Sequence, residues 1–492
     1  MTDNEDLRPK LHSACDGPIT YGSLSEFPRD PLACMRQLRA RHGEAAALED
    51  EGGRLAFVFS PAHVQEVLTD VATYHSQFFA IRGSRNSAQR RVTSNVLSQN
   101  GEEHKRARRL MMGPFQKKGL QPYHDVLVKL SGELVASWRP GETRNMFRDM
   151  TRHMLHVTSV LLFGCDVEEL AYEIGQDIER WVALNHAVGI GAFVPDAKAR
   201  ASYDDLLAAA TALEQKVRAL IEHRRSAGAA GDDVLSRLIS AHDDCGAAMT
   251  DAELIGQTTV LFGAAHLTTA NTLTWTLFLL AQHPDVASAL VEELDAALGG
   301  AMPSVGQLEE LPLLDAVIKE SMRILPASAY SHRVNVRPVQ FGDLHLPPGT
   351  PIIFSQVITH HMPELFPEPE MFRPERWKTI SPSPYAYFPF AAGPRKCIGA
   401  GLATMILKLT LTAILQNFRF TVVPGATIDA RVNWTMLNPA SGMLMRLLPL
   451  KAWFADVPVN GSVHDLVDLR AARASRIAGY PATHLGQSAR AA

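Results

Sequence analysis

Cysteine is scarce in this chain. The five present, Cys15, Cys34, Cys165, Cys245 and Cys397, are odd in number and widely scattered. No C-x-x-C pair occurs, which argues against a disulfide framework, a zinc ribbon and an iron-sulfur site, and a reducing compartment suits such usage. An excess of either charge is also missing. With 48 Lys and Arg against 52 Asp and Glu, the net charge is -4, so there is no electrostatic motive for binding nucleic acid. Apolar runs fall short of the roughly 18 to 20 residues a membrane span needs, because the best candidates are broken by Gln257, His266, Asn271 or Lys408. The opening residues, MTDNEDLRPK, are acidic and polar, with no basic leader before an apolar stretch. Neither a secretory signal nor a membrane anchor is expected there, and a cytoplasmic location is.

What the chain has is apolar mass. Its 492 residues are 46% hydrophobic, enough to bury a large core. Helical periodicity runs over 103–113, 122–137, 150–163, 170–186, 203–225, 251–282, 284–298, 311–324 and 398–416. RLAFVFS at 54–60, and the alternation around a Pro-Pro-Gly turn across 339–355, predict a small sheet. The expected fold class is therefore mainly α with small β-sheets. No internal repeat is present. One long domain over 30–453 is expected, preceded by an N-terminal arm at 1–29 and followed by an extension at 454–492 with a short amphipathic helix from His464 to Arg476, read either as a disordered tail or as a segment docked onto the body or a partner.

The segment 251–282 stands out by length, at ~48 Å for 1.5 Å per residue. It opens with the capping-box pattern Thr250-Asp251-Ala252-Glu253 and stops at His283-Pro284. Its middle, Phe262 to Thr269, has small residues and hydroxyls where a core helix would carry Leu and Ile. Either something flat or polar lies against it, or small residues let another helix approach closely.

The stretch from Phe390 to Gly401 carries the chemistry. A Gly393-Pro394 turn delivers one cysteine, Cys397, to the start of an apolar helix, where free N–H groups and the helix dipole favour a thiolate. The other four cysteines read as inert buried thiols. A thiolate two residues from Arg395 suits an iron porphyrin, sulfur to the metal and guanidinium to a propionate.

These residues resemble the cytochrome P450 superfamily, whose signature F-x-x-G-x-R-x-C-x-G is matched at Phe390, Gly393, Arg395, Cys397 and Gly399. The resemblance covers approximately residues 30–450 and implies the P450 fold with a long central helix over heme b, making 30–453 a heme domain. Glu320 and Arg323 match the family's E-x-x-R, and Arg376 its P-E-R-W element. Together the three resemble the family's Glu-Arg-Arg triad, which implies that Glu320 and Arg323 share one helix face and that Arg376 pins the chain near the cysteine loop to that helix. Read alone, Glu320 and Arg323 are a solvated ion pair of little worth. The pattern A-[AG]-x-[DE]-T falls on Ala264, Ala265, His266, Leu267 and Thr268. Leu267 replaces the acidic residue and Ala265 the frequent glycine, so a proton relay around Thr268 would use water, His266 or substrate groups. His104 and Arg108 match the family's H-x-x-x-R, and Arg333 its basic residue after the E-x-x-R helix; with Arg395 they would hold the heme propionates.

The resemblance further implies a substrate pocket at Val92, Leu97, Val260, Leu261, Ala264 and Ala329, with the helix 181–195 and the turn 437–442 alongside. Arg82, Arg85, Arg90 and Arg91 near the entrance loop either greet a carboxylate or are solvated. The expected activity is insertion of one oxygen atom from O2 into a lipophilic small molecule by a monomer, fed by ferredoxin or flavodoxin with its reductase. Alternatives are peroxide-driven oxidation or oxidative coupling, suggested by Leu267, and a heme-binding protein without turnover. His360, His361 and Glu364 look like metal ligands, but adjacent residues on a helix point apart. Gly399-Ala400-Gly401 lacks the third glycine and the βαβ unit of a dinucleotide site.

Overall fold

The computed structural model describes residues 17–77, 81–164, 168–191, 197–226, 231–454 and 457–469. Its longest helix is the one most strongly signalled by sequence. It spans Asp251–Gln282, begins with a reciprocal cap between Thr250 and Glu253, and ends where His283 precedes Pro284. Away from its middle it is buried on nearly every side, so it forms the axis of the core rather than an amphipathic outer layer. Met146–Phe163, Glu168–Gly191, Ala197–Ser226, Pro312–Ile324 and Ala400–Asn417 all pack on it. Gly256 permits one close approach: a Cβ there would lie 2.2 Å from the Ser94 carbonyl oxygen.

Ala400–Asn417 is long and apolar enough to cross a membrane by length and composition, yet it lies mostly buried among the other helices. Lys408, inside this run, is satisfied there by the Leu308 carbonyl at 2.8 Å and Asp315 at 3.2 Å.

A six-stranded mixed sheet has the order Ile19–Tyr21, Ala45–Asp50, Gly53–Val58, Pro351–Phe354, Ser331–Asn335, Tyr74–His75. Ala47 pairs with Ala56 across an antiparallel ladder, and Ala56 with Ile352 across a parallel one. Alternation along the strands divides two cores. Ala45, Ala47, Ala56, Val58, Ile352 and Phe354 face a small cluster that also holds Phe388 and Ala392, while Ala46, Leu48, Phe57 and Ile353 join the main core. The sheet therefore seats the loop that leads to Cys397.

All nine expected helical stretches are helices, with ends shifted by a few residues. Pro31–His42 and Pro61–Thr69 are additional helices, and Ala45–Asp50 is an additional strand. Its run of alanines is a weak strand former, and pairing on both sides makes it one.

Two expectations at the termini are corrected. Residues 17–29 are not a separate arm, because Ile19–Tyr21 is a strand of the main sheet. Residues 457–469 strap onto the body: Asn460 pairs in parallel with Thr427, Val463, Leu466, Val467 and Leu469 are buried, and the Asp468 N–H donates to the Glu370 carbonyl at 2.8 Å. Of the helix expected over His464 to Arg476, the described part is only a single turn, Ser462–Asp465, followed by irregular chain; 470–476 lie outside the described residues.

Candidate active site

The cysteine loop is a series of tight turns. Ala391 N–H donates to the Phe388 carbonyl at 2.9 Å, Lys396 N–H to Gly393 at 3.0 Å and Cys397 N–H to Phe390 at 2.8 Å. Gly393 has φ +69°, and a Cβ on it would meet the Leu68 carbonyl oxygen at 2.6 Å, so both dihedral and space demand glycine. The following helix starts at Ala400 with Gly399 as its N-cap, and the Gly399 N–H hydrogen-bonds to the Cys397 sulfur.

Opposing influences act on the Cys397 thiol. Burial pushes the thiol up, and it outweighs the Gly399 N–H, Arg108 and Lys396, which pull it down. The residue is nonetheless exposed. A bound metal cation is what would keep such a sulfur ionised.

Four basic groups from three elements converge on one another, and one of them, Arg108, also acts on Cys397. His104 and Arg108 come from the helix Gly101–Met111, Arg333 from a sheet strand, and Arg395 from the loop. His104 is lowered to about 4 by burial and then by Arg395, Arg108 and Arg333. Arg333 is lowered to about 10 by burial and Arg395, and Arg395 to about 10 by burial and Arg108. Among the described residues, the arginines' hydrogen bonds go to oxygens of Lys396, His332, Val96, Gln99 and Asn100, none of them a carboxylate, and Arg395 Nε has no partner. Desolvated like charges are costly unless an anion completes them. The two propionates of a porphyrin are such anions, so this donor set fits the group.

Glu320 and Arg323 are not the solvated pair their spacing suggests. Both are fully buried and Arg376 nearly so. Glu320 accepts from Arg323 Nε at 3.0 Å and Nη2 at 2.9 Å, Arg376 Nε at 2.9 Å, Trp377 Nε1 at 3.0 Å and Arg373 N–H at 3.0 Å. The guanidiniums then donate to the carbonyls of His360, Pro367, Glu368, Pro369 and Met371. A charge cluster so satisfied fixes the path of an otherwise irregular chain.

The middle of the central helix is open where the rest is closed. Gly263, Ala264, Leu267 and Thr268 share one face and are accessible, as Ala265 is beside them. Thr268 Oγ1 donates to the Ala264 carbonyl at 2.7 Å. His266 does not join Thr268. Two residues away is about 200° around the helix, and His266 is buried with Nε2 3.0 Å from the Thr151 carbonyl and Nδ1 3.4 Å from Glu179. Burial lowers it to about 4.

The sequence model described as Cytochrome P450 matches residues 18–446. The chain belongs to the cytochrome P450 family. It is 31% identical over 433 residues to cyclooctat-9-en-7-ol 5-monooxygenase of Streptomyces melanosporofaciens, covering 86% of this chain and 92% of that protein. Pentalenene oxygenase of Streptomyces avermitilis is 29% identical, over 85% of this chain and 93% of its own. Two solved structures share the fold at 22% identity. The cytochrome P450DA heme domain has TM-score 0.78 over 91% of this chain and 98% of its own. Retinoic acid-bound cyanobacterial CYP120A1 has TM-score 0.72 over 84% and 94%. The protein is thus a P450 monooxygenase with heme b as cofactor.

The P450's expected pocket residues are only partly brought together. Leu97 and Ala264 are accessible, Val260 and Leu261 are nearly closed, and Val92 and Ala329 present no surface at all. Val92 turns into the core from the short helix Ala88–Thr93. Ala329 is pinned by its backbone, N–H to Thr435 and carbonyl to Ser355 Oγ, each at 2.7 Å. Of the helix expected at 181–195, residues 192–195 lie outside the described residues.

Sequence reading missed what holds Ala88–Thr93 in place. Buried Gln89 accepts from Trp181 Nε1 at 2.8 Å and donates to Asn185 at 2.9 Å, and Arg91 makes a bidentate pair with Glu214 at 2.7 Å per arm. Arg91 is therefore not free to greet a carboxylate. His360, His361 and Glu364 likewise go to separate partners: the Phe388 N–H, the Leu466 carbonyl and Arg39.

Proposed function

We propose that this P450 inserts one oxygen atom of O2 into a lipophilic small molecule, by hydroxylation or epoxidation, with electrons from a separate ferredoxin or flavodoxin and its reductase. One observation supports this reading above the others: an exposed cysteine next to Arg108, which clusters with Arg333, Arg395 and His104, the three arginines having no carboxylate partner among the described residues. In it, the Cys397 sulfur would hold the heme iron and His104, Arg108, Arg333 and Arg395 would hold the propionates, with Phe390 and Gly399 shaping the loop. The thiolate-ligated heme, when bound, supplies reductive activation of O2.

The chain's own residues do the rest. Thr268 has its proton engaged by the Ala264 carbonyl, so its oxygen is free to accept a hydrogen bond from water or substrate. With Leu267 beside it and His266 turned away, that water is the proton source. Ala264, Leu267 and Leu97 offer small or apolar surface, which suits a substrate that loses little on leaving water. The names of the relatives, for cyclooctat-9-en-7-ol and for pentalenene, support terpenoid-like carbocycles as the substrates to try first.

Titrating the holoenzyme with such carbocycles is expected to convert low-spin heme to high-spin, and added ferredoxin and reductase to yield mono-oxygenated product. A spin shift with fatty acids alone would overturn the substrate class. Lys118 and Lys396 are exposed for docking, whereas Arg109 and Lys117 already pair with Asp244 and Glu309. A cytoplasmic monomer completes the proposal.

The missing acid at Leu267 favours a second reading, turnover driven by hydrogen peroxide. Product formed with peroxide alone, at a rate unchanged by a reductase system, would select it.

A further inference from the structure

We propose that His360 is the positioning residue for the cysteine loop, acting on Cys397 through the Phe388 N–H; this rests on Cys397 being the heme ligand. His360 ends the short helix Gln356–His360 and is fully buried. Its Nε2 accepts the Phe388 N–H at 3.1 Å. A ring nitrogen that accepts is unprotonated, so His360 is neutral and carries its proton on Nδ1. Nδ1 reaches no well-aligned acceptor, although the carbonyls of Arg323 and Met322 lie near enough to favour that proton. Burial agrees, holding the ring well below its ordinary pKa. The rings of Tyr387, Phe388 and Phe366, centred 5.2, 5.3 and 6.3 Å away, leave the imidazole no other orientation.

Phe388 is where the loop begins. Its carbonyl accepts from Ala391, and two residues on the Phe390 carbonyl accepts the Cys397 N–H. On its other side, the His360 carbonyl accepts from Arg323 Nη1 at 3.0 Å, and Arg323 is held by Glu320. A continuous chain of contacts therefore runs from Glu320 through Arg323 and the His360 ring to Phe388 and the sulfur. Among the described residues, no hydrogen bond of Glu320, Arg323 or Arg376 goes to Phe388, and His360 makes that link; Trp377 packs on the neighbouring Tyr387 at 4.6 Å and Tyr387 Oη donates to the Lys319 carbonyl at 2.9 Å. Without an acceptor in its place, the Phe388 N–H is left buried and unpaired.

The test compares wild type, His360→Phe and His360→Gln as heme-loaded proteins. The readout is the share of the reduced carbonyl adduct that shows the red-shifted Soret band of thiolate ligation. In His360→Phe the ratio of thiolate-bound to detached protein is expected to fall about fivefold, the ratio one neutral hydrogen bond carries. His360→Gln, whose amide oxygen reaches as far as Nε2, is expected to recover most of it. His360→Phe matching wild type, or both variants falling equally, would overturn the proposal. A wild type that itself lacks the band would instead sink Cys397 as ligand. Should His360→Phe not fold, exchange of the Phe388 amide in wild-type holoenzyme decides. Protection like that of the Cys397 amide supports the bond, and exchange at the rate of an open loop overturns it.

Discussion

Arg108 Nη2 donates to the Lys396 carbonyl at 2.6 Å, so one guanidinium ties the helix Gly101–Met111 to the residue that precedes Cys397. The same charge lowers His104 and Arg395 and pulls the Cys397 thiol down. Anion binding and the seating of the loop meet in this side chain.

Arg108→Gln and Arg333→Gln should both weaken heme binding by about tenfold to a hundredfold, since a charged hydrogen bond is worth roughly 1.5–3 kcal/mol. Only Arg108→Gln should also lower the thiolate-ligated share, because only Arg108 holds the loop. Heme titration of the apoprotein and the carbonyl spectrum separate the two effects. Unchanged affinity in both variants would remove these arginines from the propionate site.

Glu320→Gln keeps the shape of the triad but leaves the buried Arg323 and Arg376 without a counter-charge. Breaking a buried pair in this way costs about 3–5 kcal/mol, which a urea midpoint would register. A loss below about 1 kcal/mol would mean the cluster behaves as a surface pair.

Thr268→Ala removes an accessible hydroxyl whose only hydrogen bond among the described residues is back to its own helix. Unfolding should scarcely change. Product formed per NAD(P)H should drop by on the order of tenfold or more, with peroxide released instead, because proton delivery loses its organiser. Coupling equal to wild type would show that Thr268 holds no catalytic water.

Burial lowers His104, His266 and His361 to about 4 and His153 to about 3, against an ordinary value of 6.5. The fold keeps these rings neutral while the unfolded chain takes up protons. Their stabilisation is complete above pH 6.5 and is lost as pH falls from there towards 4. Urea midpoints should therefore drop steeply between about pH 6.5 and pH 4.5, and His266→Gln should flatten part of the slope. A midpoint constant over that range would contradict the burial of these rings.

Removing residues 457–492 exposes what Val463, Leu466, Val467 and Leu469 cover. Each buried side chain is worth roughly 1.5–3 kcal/mol, much of it offset by ordering the strap. A net loss on the order of 2 kcal/mol is expected by thermal unfolding. Leu466→Ala alone should lose a similar amount, and no change in either would mean the strap does not stabilise the body.

Local patterns were legible wherever one stretch of chain contains the whole interaction. The capping box at Thr250 and Glu253 is such a case, as are the stop at Pro284 and the loop from Phe390 to Gly399, whose turns span few residues. The terminal segments were misread for the opposite reason. Ile19–Tyr21 and Asn460 are ordered by strands distant in sequence, Ala45–Asp50 and Thr427.

By itself, then, the sequence determined the helices, the central helix with its small-residue middle, and a cysteine turn suited to a metal. Those features follow from side-chain period and backbone dihedrals, which act over a few residues. Only tertiary structure decided the surroundings of the groups the motifs had named. It left His104, Arg108, Arg333 and Arg395 together with no carboxylate partner for the arginines among the described residues, sank Glu320 into the core, and turned His266 away from Thr268. It also placed the ring of His360 under Phe388. The physical reason is that burial and charge interact through space: a pKa, a desolvation cost or an unpaired N–H depends on neighbours that lie hundreds of residues away along the chain.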